Sequence, residues 1–461
     1  MITLDRNGIR ESPESEQSSD RGERVSEHEP SELPRVLSLV HVVASGVGII
    51  VGAGIYVLLA PAAENAGGLV WLSFLISAFV CAFTAMSYAE LASMFPRTGG
   101  EYEYSSHVFG RRVTFMIGWG MAAGLVIAGA TVSLGFARYA RYFWDVDDRW
   151  LGLAVLGLSS LLVVWGSDRW SKLVVLLSAA QVAGLLFVVV IGIGHLGDGE
   201  LLSGRGGSGW NSFSGLMSAA ALVFFAYIGF DEVATLSEET KDPTRITPRA
   251  LLWSLGISAV LYVLVSIAAV NVLGAEGLAE STQPLTDVAA DVVGGRAGSV
   301  MAVFAMLTTA NTVILVLTAA SRMIFAMSRA GDLPKVGSRL WRDGTPALAV
   351  VVSAVIAATF VLWGDLKLIA SATDFAIYAI FLSVNVMVVV LRRREPERMR
   401  HFRSPWSVRD WPVLPILGFA ITVWMIVLLE FEAILVGVGL FAVGVVVATL
   451  RESRSGASVS A

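Results

Sequence analysis

Apolar runs of about 20 residues, the length a helix needs to cross a bilayer, recur twelve times between about residue 38 and residue 450. They lie at roughly 38–62, 67–93, 113–140, 150–167, 170–195, 212–237, 249–273, 299–327, 346–364, 366–391, 412–430 and 432–450. A water-soluble domain of 461 residues that is 55% hydrophobic and 15% charged could not keep such runs off its surface. The pattern therefore predicts an all-α integral membrane protein with twelve transmembrane helices. Inside a bilayer every backbone amide and carbonyl must find a partner within the protein, so any place where a span cannot hold helix is informative.

An even number of spans puts both termini on one face, and the basic residues say which. Of the 33 Lys and Arg, only Arg138, Arg141, Arg149, Arg205, Arg296 and Lys367 fall on the opposite face. The positive-inside rule then makes both termini cytoplasmic in a multi-pass protein of the cell membrane. Residues 1–36 are acid-rich and lack an apolar run, which predicts a disordered cytoplasmic tail. The connection 274–298 on the outer face is expected to form a short helix over that face. The connection 391–411, LRRREPERMRHFRSPWSVRDWP from Leu391, is basic and is expected to lie near anionic headgroups rather than on nucleic acid. Residues 451–461 are a short cytoplasmic tail.

Several function classes lack their residues. Cys81 is the only cysteine, and His28, His41, His107, His195 and His401 are scattered, so no metal-ligand spacing is present. No Lys follows a Gly, so there is no phosphate loop of an ATPase. A membrane enzyme would need clustered nucleophile and base residues, and a channel or receptor a pore line or an effector domain. Neither pattern is visible, and no cofactor is expected.

The first span breaks at GVGIIVGAGIY, residues 46–56. Gly46, Gly48, Gly52 and Gly54 each cost a helix about 1 kcal/mol relative to Ala. One reading is close helix packing through the G-x-x-x-G of Gly48 and Gly52; the other is an unwound turn at Gly52-Ala53-Gly54 whose bare amides face a ligand. The sixth span decides between them. It reads MSAAALVFFAYIGFDEVATL, with Ile228-Gly229 interrupting it and Asp231 and Glu232 at membrane depth, where a carboxylate costs about 2.5 to 3.5 kcal/mol on insertion scales. A second break five spans after the first fits two five-span repeats of opposite topology meeting at the midplane. Residues 37–200 and 201–391 are then the two repeats, with 392–450 holding the basic loop and helices 11 and 12. A half-helix starting after a break offers amides to a carboxylate, and one ending before a break offers carbonyls to an ammonium. A small amino acid matches both. Gly48 then reads as packing, against the third or eighth span.

These stretches resemble the amino acid-polyamine-organocation (APC) permease superfamily, with its leucine-transporter-like fold of five plus five inverted repeats and two further helices. GVGIIVGAGIY is similar to the family's first-helix glycine motif and FFAYIGFDEVATLSEETKDP to its sixth-helix motif. YAELASMFPRTGGEYEY and SRMIFAMSRAGDLP also read as family text. The resemblance implies that the backbone of Gly52, Ala53 and Gly54 holds the substrate carboxylate, with Ile50 lining the pocket. Family members often carry a hydroxyl residue at the place of Ala53, so only backbone amides remain here. The resemblance also implies that Phe225 closes over the substrate, that carbonyls at Ala226 and Ile228 receive the ammonium with Gly229 beside them in the substrate site, and that Asp231, with Glu232, serves gating or proton coupling.

The function expected is a secondary active transporter moving a small neutral amino acid across the bilayer by alternating access, coupled to H+ or Na+. Thr308, Thr309 and Thr312 in the eighth span could surround Na+, the one metal ion allowed for, or simply pack. The fifth span has Gln181 where some proton-coupled relatives carry Lys. Glu90 and Asp374 are further proton-carrier candidates, Glu90 being placed to pair with Arg97 or Arg322. A polyamine or cationic amino acid carrier, or an obligate exchanger, is the alternative.

Overall fold

Helix ends in this computed structural model fall where the chain's own punctuation puts them. It describes residues 35–96, 100–165, 171–195, 197, 201–202, 210–341, 344–409 and 411–459. The long tail expected over residues 1–36 thus lies almost wholly outside the described residues. Helices α1 (Leu39–Ile50) and α2 (Gly54–Ala66) are followed by α3 (Val70–Met94), a short α4 (Gly100–Val108), α5 (Arg111–Ala140), α6 (Asp148–Trp165) and α7 (Ser171–Gly192). The second half holds α8 (Trp210–Val223), 3-10 segments at Phe224–Tyr227 and Asp231–Glu239, α9 (Pro243–Glu280), α10 (Pro284–Val293) and α11 (Gly295–Arg329). It ends with α12 (Ala347–Trp363), α13 (Leu366–Arg394), α14 (Val413–Leu428) and α15 (Phe431–Val459).

Pro243 opens α9 at its first position, where its missing amide costs nothing. Gly274, at φ 69°, kinks α9 where its apolar run ends. Gly364, at φ 84°, closes α12, and the Asp365 carboxylate accepts from the Leu368 amide at 3.0 Å to start α13. The connection expected to form a short outer helix does so as α10. Among the described residues the one pair of strands is a two-residue antiparallel pair, Ser407–Val408 with Trp411–Pro412.

Among the described residues nine helices are long and apolar enough to cross a membrane, and three shorter apolar ones accompany them. They divide by burial. The apolar window of α5 is 78% buried and that of Ser212–Glu239 is 72%, against 17% for Phe431–Arg451 and 22% for Val174–His195. The outer set carries large apolar side chains into the surroundings, among them Leu161, Val175, Val355 and Val446. Such a surface is untenable in water and ordinary against lipid. The inner set packs through small residues: Gly124 of α5 lies against Ile377 and Gly120 against Ile380 and Phe441.

Two packing expectations are corrected. Gly48 packs on Ser178 of α7, where an added Cβ would stand 3.2 Å from the serine Cβ, rather than on the third or eighth span. Of the two arginines expected beside Glu90, Arg97 lies outside the described residues and Arg322 is not the partner; the Glu90 carboxylate receives Arg392 at 2.9 and 2.6 Å. It also takes the Ser404 amide at 2.9 Å and faces Arg400 at 3.3 Å. Both Glu90 and Arg392 are buried, so the basic connection after α13 folds onto the end of α3 through a desolvated ion pair. At the other end of the bundle a cavity of about 730 Å3 opens among residues including Pro61, Glu64, Arg138, Arg149, Gln283 and Lys367.

Candidate functional site

The first interruption spans residues 51–53, between the last turn of α1 and the first of α2. Val51, at φ −72° and ψ 63°, takes the chain out of helix. The freed groups are matched by side chains from far along the sequence. The Ala53 amide donates to the Thr312 hydroxyl at 3.1 Å, and an added Cβ on Gly52 would stand 3.1 Å from that same oxygen. The Gln181 side-chain amide donates to the Gly48 carbonyl at 2.6 Å. The first turn of α2 then presents amides without intrahelical partners, a partly positive end suited to a carboxylate.

The second interruption follows the 3-10 turn Phe224–Tyr227. Ile228 turns extended, at ψ 134°, and Gly229 takes φ 112°, where a side chain would be strained and an added Cβ would stand 3.0 Å from the Ile49 methyl Cγ2. The Gly229 amide donates to Asp231 Oδ1 at 3.0 Å. From there a 3-10 segment runs nine residues, unusually long for that geometry.

The fold presses the two interruptions together. A Cβ on Gly54 would collide with Cα and Cβ of Ala226. Between them stands Tyr262 of α9, its hydroxyl 2.6 Å from the Ile50 carbonyl and 2.9 Å from the Ala226 carbonyl, so one proton serves both. Sequence reasoning missed Tyr262; its signal was a hydroxyl-bearing aromatic inside the otherwise apolar run ALLWSLGISAVLYVLVSIAAV. Ile50, Gly52, Ala53, Gly54, Ala226 and Gly229 are all buried, and Ile228 is partly so. Phe225 is 6% exposed, so it faces the protein and not lipid.

Of the three threonines considered for a cation, Thr312 reaches the break, and its hydroxyl proton goes to the Thr308 carbonyl at 3.0 Å. Thr308 and Thr309 donate back to Phe304 and Ala305 in their own helix. The acids are more conspicuous. Asp231 is buried, and Glu101 of α4, which sequence reasoning passed over, is buried beside it and receives the Tyr88 hydroxyl at 2.6 Å. Glu232 is partly buried and is faced by Arg322. Asp374 on α13 is fully buried, and neither of its carboxylate oxygens has a partner among the described residues.

A family model described as amino acid permease matches residues 37–448. The chain is 29% identical to the branched-chain amino acid permease BcaP of Bacillus subtilis, over 87% of this chain and 90% of the relative. It is 28% identical to the methylthioribose transporter of the same organism, over 85% and 88%. Against the vacuolar cationic amino acid transporter 4 of Arabidopsis thaliana the identity is 29%, over 83% and 67%.

Proposed function

This chain belongs to the amino acid permease family, within the APC superfamily, and is a membrane transporter rather than an enzyme; on that premise we propose that it moves a small neutral amino acid by alternating access at the meeting point of the two interruptions. The observation that carries the reading is the contact of Gly54 with Ala226, bridged by the Tyr262 hydroxyl. It brings the amide end of α2 and the carbonyl end of the α8 segment to one buried place, the two signs of charge that a zwitterion needs. The substrate carboxylate lies on the backbone of Gly52, Ala53 and Gly54. Ile50 and Phe225 line and cover the pocket, and carbonyls at Ala226, Ile228 and Gly229 receive the ammonium. The lining is apolar, and a relative named for branched-chain amino acids supports a neutral substrate.

The architecture we propose has twelve spans, with inverted repeats at 37–200 and 201–391 and helices 1 and 6 unwound mid-membrane. Residues 392–450 hold the added pair, and both tails, 1–36 and 451–461, lie in the cytoplasm. On that orientation the 730 Å3 cavity is the outer vestibule. H+ is the coupling ion we favour, because the hydroxyls of Thr308, Thr309 and Thr312 already serve backbone groups while carboxyls crowd the second interruption. Asp231 and Glu232 are the gating and coupling acids.

A second reading, a carrier of cationic amino acids or polyamines, is favoured by Asp374, whose carboxylate oxygens have no partner among the described residues and suit an ammonium. Uptake of radiolabelled leucine and lysine into proteoliposomes, under imposed pH or Na+ gradients, tests both. Leucine accumulation driven by the pH gradient is expected. Lysine accumulation without leucine would replace the first reading by the second, and a requirement for Na+ would restore the threonine site.

A further inference from the structure

The buried acids at the second interruption are not all alike. Glu232 has a cation, Arg322, facing it. Asp231 and Glu101 face each other across the contact between α4 and the 3-10 segment Asp231–Glu239, within hydrogen-bonding reach. The oxygens can be counted. Asp231 Oδ1 takes the Gly229 amide at 3.0 Å and Glu101 Oε1 takes the Tyr88 hydroxyl at 2.6 Å. Asp231 Oδ2 is buried with no donor among the described residues. Two carboxylates cannot bond to each other, whereas a carboxylic acid donates to a carboxylate in a strong, charge-assisted hydrogen bond. Among the described residues the Glu101 carboxyl is placed to donate to Oδ2 when it carries a proton.

We propose that Glu101 and Asp231 hold one exchangeable proton between them, and that this carboxyl pair is the transporter's proton-binding site. The inference rests on the transport reading and deepens it, naming the group that takes up the coupling proton. Glu101 sits on a short helix outside the spans, between α3 and α5, and Asp231 bonds the glycine that makes the break. The shared proton therefore ties the interrupted helix to the end of the bundle. Its loss leaves two carboxylates face to face, and the tie becomes a repulsion that opens this end.

The surroundings favour a proton on this pair. From α3 come Tyr88 and Cys81, from α4 Tyr104, from the 3-10 segment Glu232; Arg322 of α11 faces Glu232, and Asp374 of α13 reaches the pair's neighbour Cys81. Among the described residues no cation faces Glu101. Burial first, and then the Asp231 carboxylate, push the Glu101 carboxyl from its ordinary 4.5 up to about 8.

Infrared difference spectra of the purified full chain, taken from mildly acidic to alkaline buffer, test the site directly. The wild type is expected to lose one protonated-carboxyl band with a midpoint of about 8. E101Q and D231N should each abolish that transition, and Y88F should move it. In proteoliposomes, wild-type leucine uptake should fall about ten-fold per pH unit above that midpoint, and the profile of E101Q should be flat whatever its rate. The same band and the same profile in E101Q, or in Y88F and D231N if E101Q does not fold, would overturn the proposal. A wild type that moves no amino acid but keeps the titrating band, lost in E101Q, would sink the transport reading and leave the proton site standing.

Discussion

The two interruptions do the same thing to a helix with opposite chemistry. At residues 51–53 the freed backbone is met by neutral groups: the Thr312 hydroxyl, the Tyr262 hydroxyl and the Gln181 amide next to it. At residues 228–231 it is met by a carboxylate, Asp231, with Glu101 behind it. A hydroxyl or an amide keeps its hydrogen bonds at any physiological pH, so the first interruption is a fixed template. A carboxyl in a dry site changes its bonding when it gains or loses a proton, so the second is the element that can respond. Both share the Tyr262 hydroxyl, through which a shift of one reaches the other.

The comparison can be broken most severely at its contact. Gly54→Leu drives a side chain into the Ala226 backbone, and overpacking of this kind costs about 1–3 kcal/mol; proteoliposome uptake should be abolished with the chain still folded. Phe225→Ala should do the same by leaving the pocket uncovered, and normal uptake by both would remove the site. Outside both interruptions, Glu90→Gln strands the buried Arg392 and the partly buried Arg400 and should cost about 3 kcal/mol, read as a lower thermal midpoint with an unchanged KM for leucine. Tyr262→Phe tests the bridge. Loss of its shared hydrogen bond should cost about 1 to 1.5 kcal/mol, seen as roughly ten-fold weaker uptake with its pH profile retained.

The smallest effect concerns pH and stability. Glu101 keeps its proton in the folded chain up to about pH 8 and releases it near 4.5 when unfolded. The folded state thus binds more protons across that window, and stability falls as pH rises through it, levelling above about 8. E101Q should flatten this slope in a thermal melt. A slope unaltered by E101Q would mean that other groups set it, and that the second interruption is as inert as the first.

Both interruptions were legible because each leaves a local mark: Gly52 and Gly54 in one apolar run, and Gly229 with Asp231 and Glu232 in another. Glu101 left a weaker mark. It stands in GGEYEY beside another glutamate, and nothing local distinguishes the buried acid from its neighbour Glu103, which is not buried. Glu90 likewise had several basic residues within plausible reach, and Arg392, 302 positions away, proved to be the partner.

What the sequence alone determined was the membrane class, the places where helix must fail and the family. These follow from runs of apolar residues and from the helix cost of glycine, which act over a few turns and need no knowledge of the rest of the chain. Only the tertiary structure decided which groups meet: Gly48 with Ser178, Gly54 with Ala226, Tyr262 with both interruptions, and Glu101 with Asp231. Each of these contacts joins segments separated in the sequence, and several partners of equal chemistry were open to each. The choice among them is made by how the helices pack, which no local pattern records.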